Sequence, residues 1–331
     1  MAMAAVIHEK GAPEVFRWEE VAVGNPGPGA VRIVNDAIGV NYVDTYHRRG
    51  MAHPWPVPPL PVVLGFEGVG RISAVGPGVT GFREGDRVCY ALPPHGAYAE
   101  ERLYPVDQLL HAPPGIDDRT IAAMMLKGLT AQYLLRRTYR VQPGDTILVH
   151  AAAGGMGLIL CQWGAALGAT VIGTVSTPEK AEIARAHGCH HPVVRGEARF
   201  SEVVAEVTAG EGCAVVYESI GKDTFAESLD CLRPMGVCAS YGHASGPPPL
   251  VDIIADLGAK GSLFVTRPAI MHYMAKRADL EASAAELFDA VGSGRVRIAV
   301  NHVWPLSQAA DAHRAIEEGR TTGSTVLLPR G

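Results

Sequence analysis

The sequence predicts an α/β protein of two domains, one β-rich and one built on a doubly wound parallel sheet. Three observations predict it. The chain has 331 residues, beyond the length at which a single hydrophobic core usually stops growing. Near Ile121 its texture changes from short strand-like runs, broken by glycine and proline, to helix-like runs alternating with apolar strands. Such alternation is the pattern of a parallel sheet covered on both faces. The third observation is His150-Ala-Ala-Ala-Gly-Gly-Met-Gly-Leu-Ile-Leu, a small-residue turn between a strand and a helix.

In the front part, runs at 31–34, 70–75 and 87–91 read as short strands. Turns punctuate them at Asn25-Pro-Gly-Pro-Gly, Gly76-Pro-Gly and Arg83-Glu-Gly-Asp. The segment His53-Pro-Trp-Pro-Val-Pro-Pro-Leu-Pro is too rich in proline for a strand and reads as a rigid surface loop. Further on, strands are expected at 146–149, 170–175, 192–194, 214–219, 236–241 and 261–266. Helices are expected at 121–138, 154–167, 178–187, 200–208, 223–233 and 275–292. A helix at 307–318 and a closing strand, Gly323-Ser-Thr-Val-Leu-Leu-Pro, have no place in that alternation and should return to the front domain. We therefore expect residues 1–122 and 297–331 in the β-rich domain and 123–296 in the sheet domain.

Composition excludes several function classes. Hydrophobic residues make up 47% and charged residues 19%, an ordinary globular balance. The net charge of −5 gives nucleic acid no electrostatic foothold. Residues 146–176 contain no Asp, Glu, Lys or Arg, which is long enough to span a bilayer. Six glycines cut the run into strand, turn, helix and strand, as in a buried parallel sheet, and we read no membrane span there. The six cysteines form no C-x-x-C pair, no Cys/His cluster appears, and they read as reduced thiols packed as small apolar groups. The N-terminus shows no charged leader with an apolar core, so a cytoplasmic protein is expected.

On a G-x-G-x-x-G template the turn places Ala152, Gly154 and Gly157 in the three slots. Small residues there let the backbone approach a pyrophosphate, and the helix N-terminus offers free N–H groups to it. A NAD-selective site carries an acid at the end of the second strand, for the ribose 2′-hydroxyl. Here the strand ends Val175-Ser176, without an acid. Ser176 and Lys180 can instead meet a 2′-phosphate, with Arg195 as a second cation; the alternative is that Pro178-Glu-Lys merely starts a helix and Lys180 is solvated. One charge-assisted bond of about 1.5–3 kcal/mol would favour NADP roughly ten- to a hundredfold.

Beyond the turn, five segments add specificity: Gly39-Val-Asn-Tyr-Val-Asp-Thr-Tyr, Lys127-Gly-Leu-Thr, Gly144-Asp-Thr-Ile-Leu-Val-His-Ala-Ala-Ala-Gly-Gly-Met-Gly, Tyr241-Gly-His-Ala-Ser-Gly and Phe264-Val-Thr-Arg-Pro. On these the chain resembles the zinc-free, zeta-crystallin-like quinone oxidoreductases of the medium-chain dehydrogenase/reductase superfamily, over essentially its whole length. The resemblance implies a GroES-like catalytic domain, a Rossmann domain holding NADPH, and direct hydride transfer to a quinone. An enone or alkenal reductase on the same scaffold is the alternative, with the loop 47–60 setting substrate shape. A third class is a nucleotide-linked RNA-binding or crystallin-like structural protein, disfavoured by the absence of any basic run or aromatic stacking pattern.

The resemblance also implies roles for residues. Asn41, Tyr46 and Thr130 match positions at the nicotinamide end, where Asn41 and Tyr46 would hydrogen-bond the acceptor carbonyl; alternatively Tyr46 only packs and Asn41 only caps a turn. Ala153, Gly154, Gly155, Met156 and Gly157 would meet the pyrophosphate, and Ser176, Lys180 and Arg195 the adenosine phosphate. Tyr241, Gly242, Phe264 and Thr266 would flank the ribose and nicotinamide, and Lys127 would be structural. No metal is expected: the zinc enzymes of the superfamily use a Cys in the region of Asn41 and a His in Gly-His-Glu, where this chain has Gly65-Phe66-Glu67. The strand at 262–266 matches the edge along which the superfamily pairs its sheets, so a homodimer is implied.

Overall fold

The computed structural model describes residues 1–51 and 59–330. The expected rigid loop from His53 falls largely outside the described residues, as does much of the expected substrate loop at 47–60. The chain divides into two compact units. The first comprises Met1–Leu129, Met274–Phe288 and Ile298–Gly331, and the second Thr130–Tyr273 and Asp289–Arg297.

The first unit opens with β1 (Ala2–Ile7), which pairs antiparallel with β2 (Phe16–Val21). Next comes β3 (Ala30–Val40), then α1 (Tyr42–Arg49) and β4 (Val62–Val63), which returns to pair with β1. β5 (Glu67–Val75) and β7 (Glu101–Pro105) both pair antiparallel with β3, β6 (Arg87–Tyr90) pairs with β5, and β8 (Leu110–His111) with β6. Strict alternation along the start of β3, with Val31, Ile33 and Asn35 buried between half-exposed neighbours, marks a strand with one face on the core. That core gathers Ile33, Ile38, Leu64, Val88, Tyr90, Tyr98 and Tyr104. Two elements differ from expectation. The strand expected at 31–34 runs on to Val40. His47 to Arg49, expected in a loop, form the last turn of α1, whose Arg48 guanidinium is fully buried against Glu317 at 2.5 Å.

The chain then enters α2 (Asp118–Tyr133), which continues as a π-helical turn over Leu134–Thr138. β9 (Thr146–Val149), α3 (Gly155–Ala166), β10 (Thr170–Val175), α4 (Pro178–Arg185), β11 (His191–Val194), α5 (Phe200–Val207), β12 (Cys213–Glu218), α6 (Phe225–Asp230), β13 (Leu232–Ser240) and β14 (Phe264–Thr266) follow. Among the described residues the sheet order is β11-β10-β9-β12-β13-β14, every neighbour parallel. The order reverses between β9 and β12, which puts the switch point of a doubly wound sheet beside the glycine turn. β9 and β12 are apolar and buried nearly throughout, as central parallel strands must be. α4 starts where Pro178 presets the first turn and the Thr177 hydroxyl accepts the Lys180 N–H.

The helix expected at 223–233 covers only Phe225–Asp230, because Leu232 already enters a strand longer than expected. The strand expected at 261–266 keeps only Phe264–Thr266, since Ser262 takes a left-handed φ of 58°. The helix expected at 275–292 is α8 (Arg277–Gly292), preceded by a short helix that was not expected, α7 (Ile270–Tyr273). β15 (Val300–Pro305), not anticipated, and α9 (Ala309–Glu317) lead into β16 (Ser324–Leu328). As expected, the last strand returns to the first unit: β16 lies between β15, parallel, and β3, antiparallel. Among the described residues no helix is long and apolar enough to cross a membrane, and all six cysteines are buried and unpaired.

Candidate active site

In the second unit, the expected cofactor residues gather at the carboxyl ends of the parallel strands. The turn after β9 is held by short bonds: Ala152 N–H donates to the Thr174 carbonyl at 2.9 Å, and Gly154 N–H to the Ala151 carbonyl at 2.9 Å. Ala151 pays for this path with a left-handed φ of 51°, an uncommon conformation for a residue with a Cβ. α3 begins directly after Gly154, so the N–H groups of Gly155, Met156 and Gly157 lie in its first turn, where no intrahelical acceptor exists. Ala153 is buried beneath them. A Cβ on Gly157 would stand 2.2 Å from the Ala151 carbonyl, whereas one on Gly154 would meet only that same oxygen at 3.3 Å. Gly157 is therefore required by the packing of helix on turn, and Gly154 is not.

Ser176 follows β10 and Arg195 follows β11, in adjacent strands whose register pairs Val175 with Val194. The Arg195 N–H donates to the Val175 carbonyl at 2.9 Å. Burial and the nearby Arg195 charge both lower the Lys180 ammonium from its ordinary value. Two cations and a hydroxyl thus share one corner, the arrangement a phosphate dianion favours. Tyr241 and Gly242 leave β13 with both N–H groups on the Glu218 carbonyl, at 2.9 and 3.2 Å. Thr266 pairs in register with Ala239 near that end of the sheet. Phe264 stands apart: it opens the edge strand opposite Val237 and is 59% exposed. Thr130, half-buried in α2, hydrogen-bonds Tyr133.

In the first unit, Asn41 precedes α1, and its N–H donates to Asp44 Oδ2 at 2.8 Å. Its side-chain Nδ2 donates to the buried Glu67 Oε2 at 2.6 Å. One of the two amide hydrogens is thereby committed, and the amide plane is set by Glu67. Lys127 Nζ donates to the Val40 carbonyl at 3.0 Å and to Glu67 Oε2 at 3.4 Å. Tyr46 is buried edge-on against Tyr42, with ring centroids 5.4 Å apart. Phe66 is fully buried, its ring 4.0 Å from that of His95 and 5.4 Å from that of His47. Burial lowers His47 to about 4 and His95 to about 3. It raises the Asp44 carboxyl to about 7, against the pull of the Asn41 N–H and the Tyr98 hydroxyl. Among the described residues no group of three or more His, Cys, Asp or Glu is placed to hold a metal ion.

Sequence reasoning missed Glu67, Glu218 and Ser228, and gave His150 no role. A signal for Glu218 was present: it is a lone acid closing an otherwise uncharged buried strand. Ser228, inside a helix 10 residues further on, carried none.

Comparison with known proteins shows the family. Residues 27–143 match the alcohol dehydrogenase GroES-like domain, and residues 155–289 match the zinc-binding dehydrogenase family. The chain is 56% identical to a 2-haloacrylate reductase of Burkholderia sp, over all of both chains. It is 50% identical to a quinone oxidoreductase of Pseudomonas aeruginosa, covering 96% of this chain and 97% of that protein. The crystal structure of Escherichia coli quinone oxidoreductase complexed with NADPH superposes with a TM-score of 0.95 at 41% identity, covering 99% of this chain and all of the other. The chain is a member of the quinone oxidoreductase family within the medium-chain dehydrogenase/reductase superfamily.

Proposed function

We propose that this protein is an NADPH-dependent reductase that passes hydride directly to a quinone. The observation that carries the reading is the corner after β10: Ser176, Lys180 and Arg195 converge where a NAD-selective fold would hold an acid. The solved relative that binds NADPH supports it. In this reading Ala153 to Gly157 receive the pyrophosphate, with Gly154 leaving room for it and the first turn of α3 supplying N–H donors. Tyr241, Gly242 and Thr266 border the ribose and nicotinamide. NADPH supplies the hydride and carries that chemistry itself. The protein positions the two reactants and excludes water.

On the first unit, Asn41 and Tyr46 are proposed to meet the acceptor, with Thr130 on the second unit beside the nicotinamide. Glu67 holds the Asn41 amide in one plane, so its remaining N–H is preorganised to stabilise negative charge developing on an acceptor oxygen. A homodimer is also proposed. β14 is an edge strand, and Leu250, Ile253, Ile254 and Phe264 are exposed on the same unit.

A second reading, reduction of a conjugated C=C bond, is favoured by the 56% identity to a 2-haloacrylate reductase. Steady-state assays with 1,4-benzoquinone, 1,2-naphthoquinone, a 2-alkenal and 2-chloroacrylate, each with NADPH and NADH, separate the two. We expect quinone turnover with NADPH preferred at least tenfold. Turnover of the alkenal or chloroacrylate with no rate on either quinone would establish the second reading instead.

A further inference from the structure

The second unit contains a buried polar cluster that no role so far described uses. His150, the last residue before the strained Ala151, is wholly buried. Its Nδ1 lies 2.9 Å from Thr174 Oγ1 and its Nε2 2.8 Å from Ser228 Oγ. Ser228 donates to Glu218 Oε2 at 2.7 Å. Glu218, also wholly buried, further accepts the Thr224 hydroxyl at 2.9 Å and the N–H groups of Ile220 and Gly221 at 2.7 and 3.0 Å. These contacts fix the protons. Ser228 has one hydrogen, and Glu218 Oε2 and the Thr224 carbonyl at 2.8 Å both lie in reach to accept it, so its oxygen accepts Nε2–H from His150. Burial would raise the Glu218 carboxyl; the His150 ring, Ser228 and the backbone donors outweigh it and hold the group low. Burial holds His150 below its ordinary value despite the Glu218 charge.

The cluster joins the segments that border the cofactor. His150 leads into the glycine turn, Thr174 belongs to β10, and Glu218 folds the turn after β12 around its side chain. The Glu218 carbonyl also receives Tyr241 and Gly242, and Ser245 N–H donates to the Ile220 carbonyl at 2.8 Å. A residue with a Cβ keeps a left-handed φ only where its surroundings over-determine it, and the cluster supplies that constraint on one side of Ala151.

We propose that His150, Ser228 and Glu218 act as a clasp of positioning residues that locks the phosphate turn to the loops after β12 and β13, and that NADPH affinity depends on it. The test is direct NADPH binding by protein fluorescence quenching, with steady-state kinetics alongside. Wild-type binding comes first, since no binding there would sink the cofactor reading itself and not the clasp. Ser228→Ala is expected to raise the NADPH Kd about tenfold, with kcat at saturating NADPH and the acceptor KM within twofold of wild type. Thr174→Val, which cuts the bond to the other ring nitrogen, is expected to act in the same direction. An unchanged Kd in a folded variant, with only the melting temperature lowered, would overturn the proposal. In unmodified protein, the exchange-protected Nε2–H of His150 should be visible by NMR and shift on adding NADPH. An unmoved signal would equally overturn it.

Discussion

His47 is an imidazole that the fold keeps from titrating. Its ring packs edge-on against Phe66 and against His95 at 4.6 Å, and burial lowers it from 6.5 to about 4. The unfolded chain therefore binds a proton between these two values that the folded chain refuses. His47 costs nothing above pH 6.5, and stability is lost as the pH falls toward 4, by about 2 kcal/mol at pH 5. His95 acts in the same direction, lowered to about 3. Asp44 acts oppositely: its carboxyl is raised to about 7, so stability falls as pH rises from 4 to 7. Urea denaturation at pH 8 and pH 5 checks this. His47→Leu should narrow the gap between the two pH values by about 2 kcal/mol, and an unchanged gap would show that His47 is protonated in the folded state.

At the scale of elements, the turn from β9 into α3 separates two kinds of glycine. Gly157→Ala drives a Cβ into the Ala151 carbonyl at 2.2 Å and should lower the melting temperature by several degrees. Gly154→Ala meets only a 3.3 Å contact and should leave the melting temperature within about 2 °C while weakening NADPH binding. Thermal melts and NADPH titrations of both variants test this pair. Equal loss of stability in the two would mean that Gly154 serves the fold alone. The same segment shows what was legible in the sequence. Strands 146–149 and 170–175 stand at the residues expected, because fully buried parallel strands announce themselves as uncharged runs. The ends of α6 and β14 were misplaced: Leu232 suits helix or strand, and the turn through Gly261 and the left-handed Ser262 was read as the start of the strand. α1 went unread because its buried face includes Asp44, His47 and Arg48, residues whose burial depends on partners far along the chain. Glu67, which orients Asn41, was visible only as the neighbour of Phe66.

At the scale of the whole molecule, the exposed side chains of the second unit give the clearest expectation. Phe264 is 59% exposed, Ile254 81% and Leu250 fully exposed, beside an edge strand with unpaired backbone groups. If two copies pair there, Phe264→Lys should convert the proposed dimer to monomer in sedimentation equilibrium while leaving NADPH binding intact. A monomeric wild type would remove the proposal at once.

The place of β16 has a consequence for how the chain is made. Its five residues, Ser324–Leu328, sit between β15 and β3 in the first unit's sheet. Until they leave the ribosome, the Ile38–Val40 end of β3 has one flank uncovered and β15 lacks the strand it pairs with. The second unit's six strands are by then complete, all lying between Thr146 and Thr266. Synthesis thus delivers a finished parallel sheet before a closed first unit, although β1 to β8 precede every strand of that parallel sheet along the chain.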